Sequence, residues 1–283
     1  MRNLFKIVTR ILFTSYMVHT LCLLGLSKEL KIQPVEVPNT LPCNYSQGKQ
    51  EYDDNGHIWS LSDVNISHVK KSRKLIALTF DDAPASTLEE ILKVFLNFNA
   101  THPDAPASAT IFCNGKNIVP STKRSLQTAL AAGFELGNHT QNHKNLFLLS
   151  PDEIRKEITQ TDQLLYTLDK KRTHLLRAPY GNVNNEVRSA STAPIISWFI
   201  DTLDWTGISA EEIYDTVWQG KFCGAIVLMH DGYENTSKAL ERLLPELYDT
   251  GYQAVTVSQM AKAHHRSLEC GGVYTRIRPI SSR

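Results

Sequence analysis

Cysteine is scarce in this chain, five in 283 residues, and no two of them form a Cys-x-x-Cys pair. That separation excludes a compact zinc knuckle. There is no low-complexity tract and no internal repeat, so the composition is that of an ordinary globular protein. Neither sign of charge is in excess: 30 Lys and Arg face 29 Asp and Glu, a net of +1. Without a basic stripe, the chain does not read as a nucleic-acid binder. The metalloprotease signature is missing too, because the residue after His139 is Thr140 rather than glutamate.

What is present begins with an amino-terminal leader. Arg2, Lys6 and Arg10 precede an apolar stretch over 11–26, and Gly25 and Ser27 are small residues at the spacing a signal peptidase favours. This layout is expected to export the chain, to the outside, the periplasm or the cell envelope. An uncleaved membrane anchor over 1–27 is the alternative, since the stretch is about long enough to tether the chain. Without the three basic residues of 1–27, 27 basic side chains face 29 acidic ones, a balance of −2. Cys22 would leave with the leader. Cys43, Cys113, Cys223 and Cys270 remain, so up to two disulfides are expected, with three possible pairings. Residues 28–72, with Pro34, Pro38 and Pro42, read as a lead-in, 73–265 as the catalytic domain and 266–283 as a tail. A monomer is expected.

From Lys74 a rhythm sets in. Strands are expected at 75–80, 107–113, 134–137, 175–177, 195–200, 225–229 and 254–257. Helices are expected at 87–98, 121–132, 151–168, 184–190, 209–219 and 236–249, the third opened by a Ser150/Glu153 capping box. Some seven strand–helix alternations over about 190 residues argue for an α/β fold with a parallel sheet, and at this length a barrel-like one. The chemically loaded residues then fall at the carboxyl ends of strands, which converge on one face of such a barrel.

The first strand ends in Asp81-Asp82, and Pro84 forbids its continuation as a central strand. Adjacent carboxylates repel unless a cation or proton separates them. His139 and His143 are four apart and, on one turn of helix, would share a face and chelate one metal. With Asp82 they make a two-histidine, one-carboxylate set that suits zinc, and also cobalt, iron or manganese. Arg177 could hold one carboxylate ionised and oriented. Asp204, Trp205 and His230 complete the list, His230 as a candidate proton donor. Each has a bland reading as well. The Asp pair could be a turn, Arg177 a surface ion pair, Asp204 a helix cap, Trp205 core packing and His230 a structural histidine.

Taken together, Thr79-Phe80-Asp81-Asp82-Ala83-Pro84, His139-Thr140-Gln141-Asn142-His143, Arg177-Ala178-Pro179-Tyr180, Asp201-Thr202-Leu203-Asp204-Trp205 and Leu228-Met229-His230 resemble the five ordered motifs of the polysaccharide deacetylases. This is the NodB-homology group, carbohydrate esterase family four. The resemblance spans roughly residues 74–260. It implies a distorted (β/α) barrel of about seven parallel strands and one divalent metal ion, zinc first, held by Asp82, His139 and His143. Asp81 would be the general base and His230 the acid, with Asp204 tuning His230 and Arg177 holding Asp81. The backbone N–H of Tyr180 would stabilise the oxyanion, and Trp205 and Leu228 would line the acetyl pocket.

The family usually has glycine where this chain has Ala83. If that position requires a positive φ, alanine costs about 1 kcal/mol or more. Asn138 also opens a glycosylation sequon, as do Asn44, Asn65, Asn99 and Asn235, but a glycan on Asn138 would obstruct the site. The expected activity is metal-dependent removal of N-acetyl groups from an amino-sugar polymer such as chitin oligomers or peptidoglycan. An acetyl-xylan type O-deacetylase and a catalytically silent carbohydrate-binding protein are the alternatives, the latter made plausible by Ala83.

Overall fold

A computed structural model describes residues 58–280; the leader, Cys43 and most of the lead-in lie outside them. In chain order the elements are β1 (Lys74–Ala83), α1 (Leu88–Thr101), β2 (Thr110–Cys113), α2 (Lys123–Ala131), β3 (Glu135–Asn138) and α3 (Pro151–Asp169). There follow α4 (Asn185–Ala190), β4 (Ile195–Ile196), β5 (Ile200–Asp201), α5 (Ala210–Gly220), β6 (Ala225–His230), α6 (Glu234–Asp249), β7 (Tyr252–Ala254), α7 (Val257–Ala263) and β8 (Val273–Tyr274). Every strand ladder is parallel, and helices alternate with strands, as the expected α/β architecture requires.

β1 is the axis of the fold because its apolar run is covered on both faces. Ile76, Leu78 and Phe80 pack toward the helices with Phe95 and Leu243, while Leu75 and Ala77 pack with Trp59, Ile226 and Val255. One edge of β1 pairs with β6 over 76–81. The other pairs with β7 near the start of the strand and with β2 near its end. The ladder runs β3-β2-β1-β6-β5 and continues from β3 through a bridge at Leu176 to β4 and β8. Among the described residues no ladder joins β4 to β5, which is where the barrel is distorted.

Local sequence sets the boundaries. Ser150 accepts from the amide of Glu153, whose carboxylate takes the Ser150 amide, and Pro151 supplies the first helical residue of α3. Ser209/Glu212 and Thr256/Gln259 repeat the capping box at α5 and α7. On α1, Leu88, Ile91, Leu92, Phe95 and Phe98 are buried, while Leu96 is 44% exposed.

Four strand expectations are corrected. The strand expected from 107 starts at Thr110, because Ala107 gives both its backbone groups to the Asn99 amide. The strand expected at 175–177 shrinks to the bridges at Leu176, and that at 195–200 divides into β4 and β5. The strand expected to reach 257 ends at Ala254, because Thr256 caps a helix instead. Of the cysteines, Cys113 and Cys223 carry free thiols, and burial pushes the Cys113 thiol up. Cys43 lies outside the described residues, and so do the pairings that would include it. No helix among the described residues is long and apolar enough to cross a membrane.

Candidate active site

The carboxyl ends of β1, β3, β5 and β6 bring the motif residues to one face. Asp81 stands opposite His230 in the β1–β6 ladder, so the register alone places a carboxylate beside an imidazole. The next residue, Asp82, turns to φ 65°. Its Oδ1 lies 3.4 Å from His143 Nε2 and 3.7 Å from His139 Nε2, and the three donor atoms lie within 4.8 Å of one another. The two histidines are not on a helix. They sit on an irregular turn after β3, with Thr140 at φ 67° and His143 at φ 56°, so the backbone converges the rings that a helical spacing was expected to align.

This donor set fits a divalent ion. Donors about 2.0–2.2 Å from a tetrahedral ion lie about 3.4 Å apart, close to the spacing found. His139 Nδ1 donates to the Arg177 carbonyl at 2.8 Å, which leaves the Nε2 lone pair facing the cluster. Burial and the neighbouring His139 hold the His143 imidazole below its usual value, favouring the neutral form that can coordinate. Asn114 donates to Asp82 Oδ1 at 2.8 Å and fixes that carboxylate from behind.

Arg177 is fully buried, not a surface ion pair. Its Nη1 donates to Asp81 Oδ1 at 2.8 Å and to Thr79 Oγ1 at 2.7 Å, while Nε and Nη2 donate to the carbonyls of Ile196 and Ser197. The guanidinium lies 4.1 Å above the Phe112 ring. Burial lowers its pKa from the ordinary value, and Asp81 opposes that by favouring the charged form.

His230 has its own partner. Asp204, 1% exposed, accepts the His230 Nδ1 proton at 2.7 Å, the His230 amide at 2.8 Å and the Thr236 hydroxyl at 2.6 Å. Burial opposes charge on His230, but the Asp204 hydrogen bond and the charges of Asp81, Asp204 and Asp82 outweigh it and raise its pKa. Around the rim, Tyr180 is exposed and its ring stands edge-on to His143 at 4.8 Å; Trp205 is exposed as well, and Leu228 is buried beneath.

The expected strain at Ala83 is absent, since its φ is not positive; the left-handed residue is Asp82. Seven non-glycine residues among those described have positive φ, and five of them, Asp82, Thr140, His143, Tyr180 and Leu203, lie within the motif segments. Backbone strain therefore concentrates where the polar side chains converge.

The polysaccharide deacetylase family profile matches residues 68–193. The chain is 34% identical to the peptidoglycan-N-acetylmuramic acid deacetylase PdaC of Bacillus subtilis over 195 residues, 68% of this chain but only 40% of that protein. It is 32% identical to a peptidoglycan-N-acetylglucosamine deacetylase of Bacillus cereus over 206 residues, which covers 70% of this chain and 92% of the relative. The chain belongs to the polysaccharide deacetylase family. A family four acetyl xylan esterase from Clostridium thermocellum, solved with a cobalt ion, superposes with a TM-score of 0.67 at 25% identity, covering 72% of this chain and 99% of the esterase.

The deacetylase motifs do not exhaust the site. Asn138 is fully buried; its amide donates to Asp162 and the Ile158 carbonyl, and its Oδ1 accepts the Thr140 amide, which leaves no room for a glycan. His174 sits between Asp162 and Asp169. Burial opposes its charge, but hydrogen bonds to both carboxylates raise its pKa to about 9, so this buried cluster braces Asn138 through Asp162. Sequence reasoning missed Asn114, Asp162, His174 and Asp231. Only Asp231, beside His230, carried a signal that adjacency could have found.

Proposed function

We propose that the chain is a metal-dependent hydrolase that removes N-acetyl groups from an amino-sugar polymer of the chitin-oligomer or peptidoglycan type. The observation that carries this reading is one cluster: the Asp82/His139/His143 donors with Asp81–Arg177 and the His230–Asp204 pair beside them. The names of the Bacillus relatives support the amide substrate and the peptidoglycan class.

In this reading Asp82, His139 and His143 hold one divalent ion, zinc first. When bound, that ion supplies a Lewis acid and lowers the pKa of water. Asp81, oriented by Arg177, takes the proton of the attacking water. The Tyr180 N–H faces the oxyanion. His230 gives its proton to the departing amine, and Asp204 fixes the tautomer and holds the imidazolium. Trp205 and Leu228 line the acetyl pocket. The leader of 1–27 supports export of the catalytic domain over 73–265 to the cell envelope or beyond.

The deciding experiment measures acetate release from chitin oligomers, peptidoglycan and acetylated xylan, with protein as purified, after chelation, and after zinc or cobalt is restored. Release from an amino-sugar polymer that chelation abolishes and metal restores is expected. Release from xylan alone would make the chain an O-deacetylase, and no release at full metal loading would make it a silent binding protein.

The pH profile tests the acid. A proton donor works only while protonated, so activity falls as pH rises through the His230 pKa, and a raised pKa carries activity to higher pH. Asp204→Asn removes the charge that raises it. The alkaline limb of kcat should move to lower pH, with kcat near neutrality falling by about 10²-fold or more. An alkaline limb that stays where it was would remove His230 from the role.

A further inference from the structure

We propose that Asp231 is a positioning residue that locks the Asp81–Asp82 turn onto the strand that carries His230. The inference rests on the metal-site reading above.

Asp231 follows His230 directly, is 2% exposed, and points away from the donor cluster into the turn that follows β1. Its carboxylate accepts three hydrogen bonds from that turn: the Ala85 amide at 2.5 Å on Oδ2, and the Thr87 amide at 3.1 Å and hydroxyl at 2.9 Å on Oδ1. The Thr87 hydroxyl in turn accepts the Gly232 amide at 2.7 Å, and the Asp231 amide donates to the Asp81 carbonyl at 2.9 Å. Residues 81–87 are therefore stitched to 231–232 at five points. Gly232 takes φ 112°, a backbone conformation that L side chains rarely adopt, whereas a Cβ there would make only ordinary contact with the Ala85 methyl at 3.6 Å.

Two physical facts give this stitching a role in the site. Thr87 precedes α1 and makes no capping bond within its own helix, so the buried carboxylate of Asp231 satisfies amides that the local sequence leaves open. And Asp82 holds a left-handed turn only three residues before Ala85. An αL aspartate persists when its surroundings over-determine it. Releasing Ala85 and Thr87 would let Asp82 Oδ1 drift from the two imidazole nitrogens, and outer partners of metal ligands typically carry about 10–100-fold in affinity.

Asp231→Asn turns an amide N–H₂ toward donors it cannot accept from, at Ala85 or at Thr87. Thr87→Val removes the bridging hydroxyl at equal size, and Thr87→Ser keeps it. The test is calorimetric titration of Co²⁺ into the metal-free full chain, with the thermal midpoint of the metal-free protein measured alongside. Asp231→Asn and Thr87→Val should weaken Co²⁺ binding by about 10–100-fold, and Thr87→Ser by less than about twofold. Wild-type affinity in Asp231→Asn or in folded Thr87→Val, with only the midpoint lowered, would make the clamp merely structural and overturn the inference alone. A wild-type chain that binds no Co²⁺ would overturn the metal-site reading with it. Should Asp231→Asn fail to fold, the Thr87 pair decides by the same criterion.

Discussion

Asp81→Asn is expected to lower kcat for acetate release by about 10²–10⁴-fold while the protein still takes up one divalent ion. The two adjacent carboxylates have separate surroundings. Asp82 faces His139 and His143, whereas Asp81 is tied to Arg177 and lies 3.7 Å from His139 Nε2 through its other oxygen. Asparagine is nearly the same shape and can still accept from Arg177, but it cannot take a proton from water. Metal content and acetate release measured on one sample separate the two roles. Loss of the ion together with turnover would make Asp81 a ligand, and unchanged turnover would dismiss it as the base.

Arg177→Met should cost about 3–5 kcal/mol of stability, the penalty of leaving a buried charge without its partner. Arg177 is fully buried and satisfies Asp81, Thr79 and two carbonyls of the segment 196–197. Methionine fills part of the volume over Phe112 but offers no donor, so the Asp81 carboxylate is left in a dry interior. Urea unfolding gives the number directly. Arg177→Met combined with Asp81→Asn should lose less than the two single changes summed, because the second removes the charge that the first exposes. Strict additivity would mean that the pair contributes nothing as a pair.

Much of the fold could be read before the structure because local and global signals agree. Ser150, Glu153 and Pro151 fix the start of α3, and the fully apolar 75–80 run is what a strand covered on both faces requires. Asp81 and Asp82 were legible because Pro84 stops the run at the site face. The extent of the thin strands was not. The strand expected at 175–177 reaches β3 and β4 only through single bridges at Leu176, a tertiary limit that no periodicity records. Thr256 was read into a strand because 254–257 is short and apolar, and only its bond to Gln259 reveals a helix start. The spacing of His139 and His143 was visible, but the turn that brings them together depends on Asn138 and on a buried His174 far along the chain. Arg177 illustrates the limit best. An arginine is a surface residue by default, and its burial is decided by Phe112 and Asp81, neither of them near it in sequence.

The left-handed turns at Asp82, Thr140, His143, Tyr180 and Leu203 bear on how a polymer would be received. A loop that has already met the conformational cost of its working shape has little left to rearrange when a ligand arrives. Five such turns within the motif segments describe a site whose loops hold their working shape before a ligand arrives, so that less of the binding energy goes into ordering them.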